Sequence, residues 1–168
     1  GGIAVGNLPT TLPNGQPLTQ APTTTENALA KPAVTPTFEA SLVAWVFDQV
    51  SNKFKLNVAQ NGQNVPATNG FYTINEVTTT LVNNIAVPVA VQNTYYFDTT
   101  GSMVTGWVKT VDNKTYFFEN AKTADEGKMA IGWKQIENSW YYFNADGSML
   151  VSATTPDGYV VGADGKMM

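Results

Sequence analysis

The sequence predicts an all-β chain: a tandem β-hairpin solenoid preceded by an extended Pro/Thr-rich arm. Three observations predict it. A Gly-x-Met step recurs at Gly101-Ser102-Met103, Gly127-Lys128-Met129, Gly147-Ser148-Met149 and Gly165-Lys166-Met167. Aromatic clusters, Tyr95-Tyr96-Phe97, Tyr116-Phe117-Phe118 and Trp140-Tyr141-Tyr142-Phe143, alternate with Gly, Asn and Asp. No segment after residue 50 carries a helical hydrophobic period, whereas short β-rich runs are separated by turn residues.

Residues 1–37 hold six of the nine prolines, no aromatic residue, and only Glu26 and Lys31 as charges. With so little apolar surface to bury, the segment does not offset the ~1–2 kcal/mol per residue of backbone ordering. It reads as a linker of polyproline character, with an arm lying on the folded part as the alternative. The start, Gly1-Gly2-Ile3, reads as a trimmed mature form that a signal peptide once preceded. Residues 38–93 read as degenerate repeats or a β cap. Within them Phe71 to Val82 and Ile85 to Val91 are β-rich, and Pro88 favours an edge strand because it donates nothing to a ladder. Glu39 to Val50 fits a short amphipathic helix or a strand. The strand is preferred, because Trp45 and Phe54 flank a turn at Ser51-Asn52.

Residues 94–168 form the repeat solenoid. In Trp133 to Tyr142 a two-residue turn at Glu137-Asn138 pairs Ile136 with Ser139, Gln135 with Trp140 and Trp133 with Tyr142. Trp133, Trp140 and Tyr142 then share one face, and Lys134, Ile136 and Tyr141 the other. Asn144 to Gly147 makes the turn to the next unit. In Trp107 to Phe118 the register stays open. A three-residue loop, Asp112-Asn113-Lys114, puts Thr115 and Phe117 on the Trp107 face, and a two-residue loop puts Tyr116 and Phe118 there. One hairpin alone is marginal, but stacked hairpins bury each other's rings. For Tyr95, Tyr96, Phe97, Phe117, Phe118, Tyr141 and Phe143 the expected role is core packing.

Composition excludes several chemistries. The chain has no His, no Cys and no Arg, so it offers no His-based triad, no Cys nucleophile and no guanidinium fork. A net charge of −4 argues against nucleic acid. No apolar run approaches the ~20 residues that span a bilayer. No carboxylates pair across a cleft and no calcium-loop string occurs, so the chain is expected to be non-enzymatic, with no cofactor and no metal.

The pattern Gly-Trp, x-Trp-Tyr-Tyr-Phe, x-Asp-Gly-Ser-Met, carried by residues 94–168, resembles the cell-wall-binding repeat of choline-binding proteins. It is also similar to the glucan-binding repeats of glucosyltransferases and of large clostridial toxins. The resemblance implies a secreted, cell-wall-associated attachment module that binds choline on teichoic acids. Choline's charged head has no hydrogen-bond donor, so cation–π attraction and apolar contact must hold it. In the family, a site uses the Trp of Gly-Trp and the Trp of Trp-Tyr-Tyr from one hairpin. An aromatic from the next hairpin and a nearby Met complete it. Carried over, Trp133, Trp140 and Met149 match. The next unit has Val160 where Tyr142 stands, with Tyr159 one position off. The earlier site implies Trp107, Met129 and Tyr142, with Thr115 in the Trp140 place for a three-residue loop. Two alternatives remain at this stage: binding of glucan or another surface carbohydrate, and a structural or interaction stalk with degenerate sites. A host or surface protein is a further candidate partner.

Overall fold

The computed structural model describes residues 20–168, so residues 1–19 of the expected arm lie outside the described residues. Apart from one 3-10 turn at Ala40–Leu42, the regular structure among the described residues is strand. The chain divides into two compact units. Residues 32–103 form one, and residues 20–31 with 104–168 form the other. The boundaries expected from composition fall inside strands Thr37–Glu39 and Ile85–Phe97. Composition follows aromatic density, whereas a unit is bounded by its hydrogen bonds and core.

The unit of residues 32–103 contains β1 (Thr37–Glu39), β2 (Val43–Asp48), β3 (Lys53–Gln60), β4 (Gln63–Pro66), β5 (Gly70–Val82) and β6 (Ile85–Phe97). Strands β2, β3 and β4 form one antiparallel sheet, so Trp45 lies in a strand rather than a helix. In the other sheet β5 lies between β1 and β6, which leaves Pro88 on an edge strand. Strands β5 and β6 pair from Gly70↔Phe97 to Val82↔Ile85. Asn83 and Asn84 turn the chain with φ of 52° and 64°, both left-handed as a two-residue hairpin turn requires. The root of this hairpin is buried and its outer half exposed. Ile74, Tyr95 and Phe97 pack with Leu56, Val58, Ala67 and Met103.

The second unit contains β7 (Gly106–Lys109), β8 (Thr115–Phe118), β9 (Gly132–Ile136), β10 (Ser139–Phe143), β11 (Ala153–Thr154) and β12 (Val160–Val161). Hairpin β9–β10 has the predicted register, with Ile136↔Ser139, Gln135↔Trp140 and Trp133↔Tyr142. Its turn residues Glu137 and Asn138 have φ of 49° and 69°. Hairpin β7–β8 resolves the open register: Trp107 stands opposite Phe117 and Lys109 opposite Thr115. The Thr110 N–H donates to the Lys114 carbonyl (2.9 Å) and the Asn113 N–H to the Thr110 carbonyl (2.9 Å). The three-residue loop is therefore Val111-Asp112-Asn113, one residue earlier than the expected Asp112-Asn113-Lys114, because Thr110 and Lys114 close it; Thr115 and Phe117 still share the Trp107 face.

Alternation along β10 joins the hairpins of this unit. Tyr141 and Phe143 point one way, into a core with Trp107, Phe117 and Ile136. Tyr142 points the other way, against Trp133, which also meets Tyr159. Each buried large side chain contributes roughly 1.5–3 kcal/mol, so every hairpin depends on its neighbour. After each aromatic strand, and after β12, the chain returns in an isolated bridge: Phe97↔Met103, Phe118↔Met129, Phe143↔Met149 and Val161↔Met167.

The described part of the Pro/Thr-rich segment is not uniformly solvated. Ala28 and Leu29 are buried, and Leu29 forms a parallel bridge with Thr110. Lys31 Nζ donates to Asp112 (3.0 Å) and to the Tyr116 hydroxyl (2.8 Å). One leucine and one lysine supply contacts that the lack of aromatic residues did not suggest.

Candidate functional site

Three tryptophans occupy ring seats between successive hairpins, and the seats differ in exposure. The Trp133 seat brings together residues of β9, β10 and the segment before β12. The Trp133 ring lies 5.3 Å from Tyr142 at 74° and 5.8 Å from Tyr159 at 89°. Its Nε1–H donates to Asp157 Oδ2 at 3.0 Å, which fixes the indole's orientation. That carboxyl is held below its ordinary value of 3.8 by the Thr155 hydroxyl and then by the indole N–H. A negative charge thus sits at the N–H edge of the indole. Trp140 is 41% exposed and Tyr159 53% exposed. Trp140 stands diagonal to Trp133 on the same sheet face. Diagonal positions have Cα atoms ~7–8 Å apart, within reach of aromatic side chains.

The Trp107 seat is closed. Trp107 has no exposed surface, with Tyr141 at 4.9 Å, Phe117 at 5.1 Å and Phe143 at 6.1 Å. Its Nε1 is, among the described residues, a buried polar atom without a hydrogen-bond partner. Tyr142, expected here, lies in the Trp133 seat instead, because strand alternation turns Tyr141 and Phe143 toward Trp107. The same displacement by one residue makes Tyr159, not Val160, the aromatic that the terminal unit brings to Trp133.

The methionines do not collect under the exposed rings. Met149 packs on the core that contains Trp107, because its N–H donates to the Thr115 carbonyl (2.7 Å). Its Sδ also occupies space beside Gly165 that a Cβ there would enter. Met129 fills the corresponding space beside Gly147. The Gly-x-Met step is thus a clasp, in which one unit's Met covers the next unit's Gly.

A third seat lies in the unit of residues 32–103. Trp45 meets Tyr95 at 4.9 Å and 69°, and Phe97 at 6.0 Å and 38°. These values nearly repeat the 4.9 Å and 72°, and the 6.1 Å and 35°, of Trp107 with Tyr141 and Phe143. The backbone repeats as well. The Met103 N–H donates to the Phe54 carbonyl (2.8 Å), as Met149 does to Thr115 and Met167 to Trp140 (2.9 Å). Phe54, Thr115 and Trp140 are therefore equivalent positions. Trp45 is 38% exposed, unlike Trp107. The sequence gives this unit away by Trp45 and Phe54 flanking a turn, but a strand pair without a Gly-Trp step hides the ring seat.

Residues 90–132 and residues 132–167 each match the choline-binding repeat. Residues 90–167 therefore carry choline-binding repeats. Glucosyltransferase-S of Streptococcus mutans is 37% identical over 81 residues, covering 45% of this chain and 5% of that protein. The chain thus spans about a twentieth of that relative's length. Among solved structures, choline binding protein F from Streptococcus pneumoniae is similar over 94% of this chain and 42% of that one, at 20% identity and a TM-score of 0.49. The choline binding domain of Spr1274 from the same species is similar over 54% of this chain and 92% of that one, at 30% identity and a TM-score of 0.38. Among the described residues no helix is long and apolar enough to cross a membrane.

Proposed function

We propose that the chain is a non-catalytic attachment module, secreted and held at a bacterial cell wall by choline on teichoic acids. The observation that carries this reading is the Trp133 seat. It combines an oriented indole, two tyrosines edge-on, an exposed Trp140 on the same face and an ionised Asp157 at the indole's N–H edge. Such a site attracts a cation that cannot hydrogen-bond. A quaternary ammonium gains ~0.5–2 kcal/mol per aromatic face, depending on how far it is desolvated. Two faces give millimolar affinity, for which the whole binding free energy is ~4 kcal/mol. A polymer bearing many cholines raises the useful affinity through effective concentration.

Tryptophan fluorescence tests the reading. Millimolar choline shifts the emission, a neutral isostere of the same shape does so far less, and Trp140→Ala removes most of the shift in a folded chain. Equal binding of the isostere defeats the proposal. A second reading, glucan binding by the same rings, is favoured by the resemblance to glucosyltransferase-S. A shift with glucan and none with choline would select it.

A further inference from the structure

We propose that the cavity lined by hairpin β7–β8, the segment after β10 and the terminal residues 163–166 binds a polyhydroxylated anion, a sugar or polyol carrying one phosphate or carboxylate. The cavity measures about 460 Å³ and residues 20–23 form part of its wall. Small-ligand sites typically enclose ~300–1,000 Å³. The inference does not depend on the choline reading, since it concerns a different seat with opposite charge.

Two substitutions within the repeat create this site. Where β9–β10 sets Gln135 opposite the exposed Trp140, β7–β8 sets Lys109 opposite Thr115. An ammonium and a hydroxyl thus replace an amide and an indole. Lys109 is 9% exposed, and its Nζ donates to the Pro22 carbonyl (3.3 Å) and the Thr115 hydroxyl (3.2 Å). Both acceptors are neutral, both bonds are long, and the third N–H is unassigned. Five other lysines form ion pairs with carboxylates, but Lys109 forms none among the described residues. A buried cation without a counter-ion is costly, and an arriving anion relieves that cost. Burial also draws the Lys109 pKa below its ordinary 10.5, the shift expected of an unmatched cation.

The rest of the lining suits the same ligand. Lys114 and Lys166 add positive charge against the single carboxylate of Asp164. The Thr115 hydroxyl and the Asn144 amide can bond ligand hydroxyls, and Tyr141 contributes to the wall. The Ser148 hydroxyl is already engaged, donating to Asp146 Oδ1 (2.6 Å) and accepting from the Asn144 amide (3.3 Å). A quaternary ammonium finds neither an exposed indole nor a favourable charge here.

Calorimetric titration of the full chain with glycerol phosphate and with glucuronate tests the proposal, with glucose and choline as neutral and cationic controls. Amide NMR shifts locate any binding. At least one anion binds in the millimolar range, shifts the amides of Thr115 and Ser148, and weakens as salt rises. Lys109→Met weakens it at least ~10-fold, the loss expected for one charge-assisted bond. Binding of only one anion identifies phosphate or carboxylate as the recognised group. The proposal is overturned if neither anion binds, if glucose binds equally well, or if Lys109→Met retains full affinity. Should that variant not fold, the wild-type shifts and their salt dependence decide, and shifts that bypass Thr115 and Ser148 overturn it.

Discussion

Met129 fills the space beside Gly147 that any other residue's Cβ would occupy. Gly147 also has a φ of 88°, so two separate demands for glycine meet at one position. Gly132, with a φ of 77° and nothing within 4 Å of where a Cβ would stand, carries only the backbone demand. Gly132→Ala should therefore cost ~1–2 kcal/mol from the left-handed backbone alone. Gly147→Ala should cost ~1–3 kcal/mol more, from overpacking against Met129. Urea unfolding of both variants checks the difference. Shortening Met129 to Ala in the Gly147→Ala background should recover part of it, because the two residues share one space.

Trp107 should behave as a core residue. Trp107→Ala should cost ~3–5 kcal/mol and leave a loosened unit. Trp107→Phe should be far milder. It keeps a ring and removes the unpartnered Nε1–H, whose burial costs ~1–3 kcal/mol. Thermal unfolding of the two variants would reverse this assignment if Phe proved as damaging as Ala.

The tryptophans should separate by accessibility. N-bromosuccinimide should oxidise Trp140 and Trp45, which are 41% and 38% exposed, well before Trp107, which is fully buried. Mass spectrometry of the digested protein reads the order. Early oxidation of Trp107 would mean that its seat opens in solution.

Asp157 makes the Trp133 seat sensitive to acid. Its pKa is lowered on folding by the Thr155 hydroxyl and the Trp133 N–H. A lowered carboxyl pKa contributes stability above the unfolded value of 3.8, and that contribution is lost as pH falls through the folded pKa. Choline-dependent emission should therefore persist at pH 4 and fade below it. Asp157→Asn should abolish this acid step while leaving the fold at neutral pH. A step of the same midpoint in the variant would assign the titration elsewhere.

How much of this was legible in the sequence depended on turn chemistry. The β9–β10 register could be read because a two-residue turn admits one pairing, and the pairing carries every ring to a defined face. The β7–β8 register could not, because one extra residue leaves two loops of similar merit. The Met positions were legible as a repeat, but not as clasps on Gly147 and Gly165. That relation crosses from one unit to the next and leaves no local signal. Tyr159 was one position from where the resemblance implied an aromatic, and strand alternation alone decided which neighbour it meets. Leu29 carried no periodic signal at all, since a single buried side chain makes no pattern.

The carbonyls of Phe54, Thr115 and Trp140 do the same structural task in three hairpins, yet their side chains are unlike. Folding is served by the main chain at this position, and recognition by the side chain. The two selective pressures are thereby uncoupled at single-residue resolution. One such substitution can change what a seat accepts without a new scaffold, and neighbouring seats need not change with it. A module of this kind diversifies seam by seam, in the way a row of interchangeable type carries different letters on identical shanks.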